Sequence, residues 1–415
     1  MNWLIKNATI LDPQSSHHRQ VVDLLISKGK VEKIGKDIDA PKVEVVDAKG
    51  AFLSPGWLDL GVQTGEPGFE HRETLESVAA AAARGGYTAL APYPNTHPVV
   101  HSKPEVFYLL RKTQGNLVDF HPIGAISQNC GGTDITEMID MHHAGAVAFS
   151  DGTHPLQHAG LMMRALLYVK SFGGLVMNQP QDETIAGKGQ MNEGLTSLNL
   201  GMKGIPALAE EIMVQRDLFL AEYTDSRLHI ANVSSARSVD LIRQAKAKGI
   251  AVTASVAVMN LVFEDEQLKD FDANYKVLPP LRGKQDREAL LAGVKDGTID
   301  LISTNHVPLE QEVKELEFPY ADFGVIGLET AYAAINALFD EALLVEKLAI
   351  APRKLLGLAV PKVEEGQTAN FTLFDPAKTW SVTATELQSL SRNSPFLGKD
   401  MKGKVLAVFN NELKG

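Results

Sequence analysis

The polar residues that follow the chain's short apolar runs are mostly carboxamides: Gln63, Asn95, Gln128, Asn178, Asn232 and Asn305, with Asp151 the one obvious carboxylate and His306 beside Asn305. A carboxamide donates and accepts hydrogen bonds but has no proton that titrates near neutral pH, so it cannot serve as an acid or base. Asp151 could, and a single-metal site joining it to His97, His101, His154, His158 or His306 is one conceivable arrangement. No pair of these histidines has a known ligand spacing tied to a third ligand. Other residues read as ordinary structure. His142 and His143 sit near the end of a helical run, His17 and His18 lie in a polar turn, and Glu210 and Glu211 form a helix face. Cys130 lacks an identifiable activating neighbour, and Gly187-Lys188-Gly189 lacks the full frame of a phosphate loop.

For these residues to converge, the ends of separate strands must meet. Between Pro55 and about Gly357 short apolar runs alternate with longer helical ones, and eight strands are expected at 57–63, 87–93, 120–127, 146–152, 174–179, 227–234, 251–258 and 300–306. Intervening segments such as ETLESVAAAAAR and ARSVDLIRQAKAK carry apolar residues at helical spacing. Eight βα units predict an α/β fold, a (β/α)8 TIM-type barrel over 56–357, with the functional site at the C-terminal strand ends, where the carboxamides fall. A doubly wound open sheet is the structural alternative. Residues 1–55 and 358–415 read as β structure, and the two ends are expected to form one small β-sandwich domain.

Composition narrows the classes. The chain has 415 residues, 44% of them hydrophobic and 22% charged, as in an ordinary globular protein. Its formal charge of -11 argues against nucleic acid and against an anionic membrane surface as partners. A single cysteine excludes an internal disulfide and fits a reducing compartment, and no apolar run reaches the length of a spanning helix, so a cytoplasmic location is expected.

Several segments resemble the dihydroorotases of the amidohydrolase superfamily, zinc enzymes of pyrimidine synthesis that interconvert carbamoyl aspartate and dihydroorotate. They are SPGWLDL (54–60), EPGFEHRETLESVAAAAARGGYTALAPYPNTHPVV (66–100), FSDG (149–152) and GQMNEGLTSLNLGMKGIPALAEEIMVQRDLFLAE (189–222), then KVLPPLR (276–282), STNHVP (303–308), FGVIGLETA (323–331) and SPFLGKDMKG (394–403). The resemblance covers nearly the whole chain, and it implies a site of two zinc ions bridged by hydroxide. At the positions it assigns to metal binding the chain departs from the pattern. The His-x-His pair of the first strand is Gly61 and Gln63, and the substrate-gripping arginine is Gly65. The histidines ending the fifth and sixth strands are Asn178 and Asn232, and the aspartate that binds metal and moves the proton is Asn305. Of the six metal positions, 61, 63, 151, 178, 232 and 305, only Asp151 keeps the residue the resemblance implies. An asparagine and a histidine that contact substrate become Leu278 and Leu309, while Asn95 remains, with His306 as a further pocket remnant.

Three functions follow. The resemblance extends to inactive homologues that assemble with aspartate transcarbamoylase, which implies a structural subunit without metals, cofactor or turnover, in a homo-oligomer or with that partner. The second is an active dihydroorotase, or a related cyclic-amide hydrolase, with relocated ligands. The third is a small-molecule binding protein that uses the barrel mouth.

Overall fold

In the first strand, β1 (Asn2–Ile10), the apolar Trp3, Ile5, Ala8 and Ile10 are buried while Asn7 is exposed. With β2 (Val21–Ser27), β3 (Lys30–Gly35), β4 (Glu44–Asp47) and β5 (Phe52–Pro55) it forms one half of a sheet. The other half comes from the far end of the chain. In the computed structural model, which describes residues 2–415, β17 (Phe371–Ser381) lies antiparallel to β5, with Leu53 opposite Leu373. The strands β18 (Asp400–Asn410) and β19 (Leu413–Lys414) complete an eight-stranded sheet.

This sheet is hydrogen-bonded as one continuous surface, where the sequence suggested a sandwich. It folds over its own core: Trp3 and Phe409 are 5.8 Å apart between ring centroids, although β5 and β17 lie between their strands. Adjacent strands are about 4.8 Å apart, so a flat sheet would hold those rings much farther from each other. The result is sandwich-like packing without two separately bonded sheets.

The long central part alternates strands and helices. Its strands are β6 (Trp57–Val62), β7 (Tyr87–Pro92), β8 (Asp119–Phe120), β9 (Ile123–Gly124), β10 (Ala148–Phe149) and β11 (Val176–Asn178). A small pair, β12 (Met191–Asn192) and β13 (Gly204–Ile205), stands apart, and β14 (Leu228–Ile230), β15 (Val252–Ala257) and β16 (Leu301–Ser303) follow. All the pairings are parallel, in the order β6-β7-β8 and β9-β10-β11-β14-β15-β16. Only His121 and Pro122 separate β8 from β9, so the two sets run into each other. At the opposite seam the Gln63 amide donates to His306 O at 3.0 Å, and the Thr304 amide donates to Asp59 Oδ1 at 2.9 Å. These bonds join β16 to β6. Every residue of β6 and β7 is buried, as expected of strands covered on both faces.

Expected strands such as 146–152 and 227–234 are longer than the hydrogen-bonded ones, β10 and β14. Their polar ends leave the sheet to build the mouth. Asn232 and Asn305 lie there with φ of 53° and 49°, a left-handed conformation that asparagine tolerates better than most residues and that ends a strand.

Buried Arg353 joins the two parts, reaching Gly56 O at 3.2 Å, Thr88 Oγ1 at 3.1 Å and Asn370 Oδ1 at 3.4 Å. Trp57 packs on Phe374 of the terminal sheet, with ring centroids 5.3 Å apart. Among the described residues no helix is long and apolar enough to cross a membrane.

Candidate functional site

The strand ends and the loops beyond them gather Gln63, Gln179, Leu278, Asn305 and Leu309 around a mouth cavity of about 440 Å³. Asn178 and Asn232 stand at neighbouring strand ends but are turned into the wall. Asn178 Nδ2 donates to Asp217 at 2.6 Å while its Oδ1 accepts from the Leu156 amide at 3.2 Å. Asp217 is also bonded by Arg216 at 2.8 Å, and burial still raises its carboxyl above the ordinary value, against the opposing pull of that guanidinium. Asn232 accepts from Ser303 Oγ at 2.6 Å and donates to Asn305 Oδ1 at 3.3 Å, and Asn305 Nδ2 donates to Leu278 O at 3.0 Å. These three asparagines thus bond to the barrel's own groups, as buried carboxamides must.

Asp151 is similarly occupied. Its Oδ1 takes the amides of Ile126 and Ser127 at 2.8 and 2.9 Å, and its Oδ2 takes the Ser127 hydroxyl. Burial raises its carboxyl, and these bonds pull it back. Asn95 braces the same loop, donating to Asp151 O at 3.0 Å and accepting from the Thr153 amide at 3.1 Å. His306 is buried, accepts the Gly327 amide on Nδ1 at 3.1 Å, and points Nε2 to Glu73 at 3.6 Å. It therefore serves a buried network with Ser77 and Ser389, both bonded to Glu73.

The two glycines carry the clearest steric information. Gly61 has φ 85°, and a Cβ there would lie 2.7 Å from the Tyr93 ring. Gly65 has φ 68°, and a Cβ there would lie 2.4 Å from Glu73 O. A histidine or arginine at these positions would need the surrounding backbone or the Tyr93 ring to move.

Zinc takes imidazole nitrogen, thiolate or carboxylate ligands. The six positions offer Gly61, Gln63, Asp151, Asn178, Asn232 and Asn305, with a single carboxylate already bonded on both oxygens. This donor set does not fit a zinc pair. Nor does the fold gather the scattered histidines into a substitute: among the described residues no group of three or more His, Cys, Asp or Glu side chains is placed to hold a metal ion. His154 approaches Asn95 Nδ2 at 3.4 Å, His101 Nδ1 accepts the Asn129 amide at 3.0 Å, and His158 is exposed at the start of the helix Ala159–Lys170.

Sequence reasoning did not identify Arg72, Glu310, Gln179, Glu73 or Asp217. Arg72 lines the cavity, with Nε 2.6 Å and Nη2 3.0 Å from the two carboxylate oxygens of Glu310. The two partners are 238 residues apart, and no local pattern joins them. Of the remaining residues considered, Cys130 is buried, which raises its thiol above the ordinary range, while His142 and His143 are exposed.

The Dihydro-orotase-like family matches residues 50–238. A protein named dihydroorotase from Geobacter metallireducens is 41% identical over 97% of this chain and 96% of its own, and one from Pelotomaculum thermopropionicum is 42% identical with the same coverage. Among solved structures, the L-hydantoinase (dihydropyrimidinase) of Arthrobacter aurescens superposes with a TM-score of 0.86 at 25% identity, covering 99% of this chain and 95% of that one. These likenesses correct the expectation of a chain without a cofactor. The relatives carry the dihydroorotase name, and that family is zinc-dependent, so kinship implies zinc. The conflict is between that inheritance and the ligands now at the strand ends.

Proposed function

We propose that this chain, which belongs to the dihydroorotase-like family of pyrimidine synthesis, does not turn over dihydroorotate and acts as a structural partner of aspartate transcarbamoylase. One observation carries the reading: the position of the proton-moving carboxylate holds Asn305, whose amide is bonded to Leu278 O and Asn232. A carboxamide cannot shuttle the proton that ring opening and closure require. Loss of such a group alone costs about 10² to 10⁴ in rate. The substrate carboxylate also lacks its arginine, whose position is Gly65.

The names of the relatives favour the competing reading, an active dihydroorotase or cyclic-amide hydrolase. Assays in both directions, with dihydroorotate and with carbamoyl aspartate in zinc-supplemented buffer, separate the two. The expected result is no turnover above the buffer rate, together with co-sedimentation with the transcarbamoylase at micromolar concentration. Turnover that disappears in Asp151→Ala, or a monomer that ignores the transcarbamoylase, would overturn the proposal.

A further inference from the structure

The helix Ala207–Thr224, the longest of the barrel's outer ring, carries apolar residues on two opposite faces. Its inner face buries Ala209, Met213, Val214, Leu218 and Ala221, beside the bonded carboxylates of Glu210 and Asp217. Its outer face presents Leu208, Ile212, Phe219 and Tyr223, which are 50%, 45%, 59% and 78% exposed. Other ring helices follow the ordinary pattern: Ala236–Ala247 turns Arg237, Asp240 and Gln244 outward, and Lys284–Asp296 turns out Lys284, Glu288 and Lys295. A helix apolar on its outer side as well as its inner one calls for a cover, and an exposed apolar stripe of this extent marks a protein contact.

The arrangement of the stripe identifies what covers it. Leu208 and Tyr223 are equidistant in sequence from the Gln215–Arg216 peptide, and so are Ile212 and Phe219. Turned end for end, the same helix sets Leu208 against the second copy's Tyr223 and Ile212 against its Phe219. Such self-complementarity is what a twofold interface requires. Half-buried Gln215 then lies near the axis, where its carboxamide can bond its own counterpart. Area also suffices. The helix is about 27 Å long, and the ring helices Ala159–Lys170 and Ala236–Ala247 pack against it, at the usual spacing of about 10 Å. Together the three present about 800 Å², the share one partner gives to a stable interface. A groove of about 570 Å³ along one flank, lined by Leu208, Ile212 and Leu241 with Glu211 and Arg237, gives this face relief. We infer that two copies of the chain join through an antiparallel pair of these helices. This dimer does not depend on the transcarbamoylase partnership, and either assignment can fail while the other stands.

Sedimentation equilibrium of the full chain alone, at micromolar concentration, tests the inference. Wild type should be a dimer, and Phe219→Glu should raise the dissociation constant at least about thirtyfold, the effect of a hot-spot residue, with an unchanged far-ultraviolet circular dichroism spectrum. Gln285→Glu, on the exposed side of another ring helix, should leave the dimer intact. Cross-linking fixes the geometry, since the native Cys130 is buried. Under mild oxidation an equal mixture of Ile212→Cys and Phe219→Cys chains should form disulfide dimers, and neither variant should do so by itself. A dimer that Phe219→Glu leaves unchanged, or Ile212→Cys chains that cross-link with one another, would overturn the inference. So would a monomeric wild type, and if its binding to the transcarbamoylase were lost in Phe219→Glu, the face would belong to that partner instead.

Discussion

Replacing Asp59 by asparagine should stabilise the protein at neutral pH and leave it nearly unchanged in acid. Asp59 is fully buried at the seam between β6 and β16, where its carboxylate accepts the amide and the hydroxyl of Thr304. Burial raises its pKa from 3.8 to about 6, against the pull of those two bonds. In the unfolded chain the group titrates near 3.8. Between that pH and about 6 the folded protein holds a proton that the unfolded chain has released, so stability falls as pH rises. Above about 6 the full penalty persists, and a rise of this size corresponds to about 3 kcal/mol. Asparagine has the same shape: its carbonyl can accept the Thr304 amide and its NH2 can donate to the hydroxyl, with no charge to bury. Urea denaturation of both proteins at pH 4 and pH 7.5 isolates the effect, because other groups cancel in the difference. The variant should gain up to about 3 kcal/mol on wild type at the higher pH and much less at the lower. A difference that is the same at both pH values would show that Asp59 does not titrate in the folded barrel, and a variant less stable at pH 7.5 would refute the burial penalty.

Two further substitutions probe the other polar joints. Glu73→Ala should cost about 3 kcal/mol at pH 7 by leaving buried partners unpaired. Burial raises the Glu73 carboxyl, but the His306 ring 3.6 Å away and the bonds from Ser389 and Ser77 outweigh that and hold it below its ordinary value. Its contribution is therefore present above the ordinary carboxylate range and fades as pH falls, opposite in sign to Asp59, which paired denaturation curves would reveal. Arg353→Leu should lower stability by about 3 kcal/mol by stranding Gly56 O, Thr88 and Asn370. Calorimetry should show the terminal sheet and the barrel losing cooperativity, and an unchanged single transition would count against Arg353 as their joint.

Much of the fold could be read from the chain because its signals are local. Mostly apolar runs such as Trp57–Val62, broken only by Asp59, and Tyr87–Pro92, separated by amphipathic helices, specify parallel strands buried on both faces. The strand-end carboxamides were legible too, since a polar residue closing an apolar strand must face the mouth or find a partner. What those residues touch was not legible. Asn178 meets Asp217 and Thr304 meets Asp59 across 39 and 245 residues, and sequence spacing says nothing about such distances. Nor did the substitution of glycine at 61 and 65 reveal that Tyr93 and Glu73 O fill the space a side chain would need. The continuous terminal sheet was half visible: alternation marks the strands, but only the fold of the sheet brings Trp3 to Phe409.

The pairing of β5 with β17 also sets an order of events during synthesis. Leu53 finds its partner Leu373 only after another 320 residues have been made. At about 5 to 20 residues per second, the edge of β5 therefore waits roughly 15 to 60 s for its neighbour. During that interval the first strands carry an open row of amides and carbonyls and an apolar face that will later meet Phe371 and Phe409. The small sheet is thus begun before the barrel is made and closed only after it.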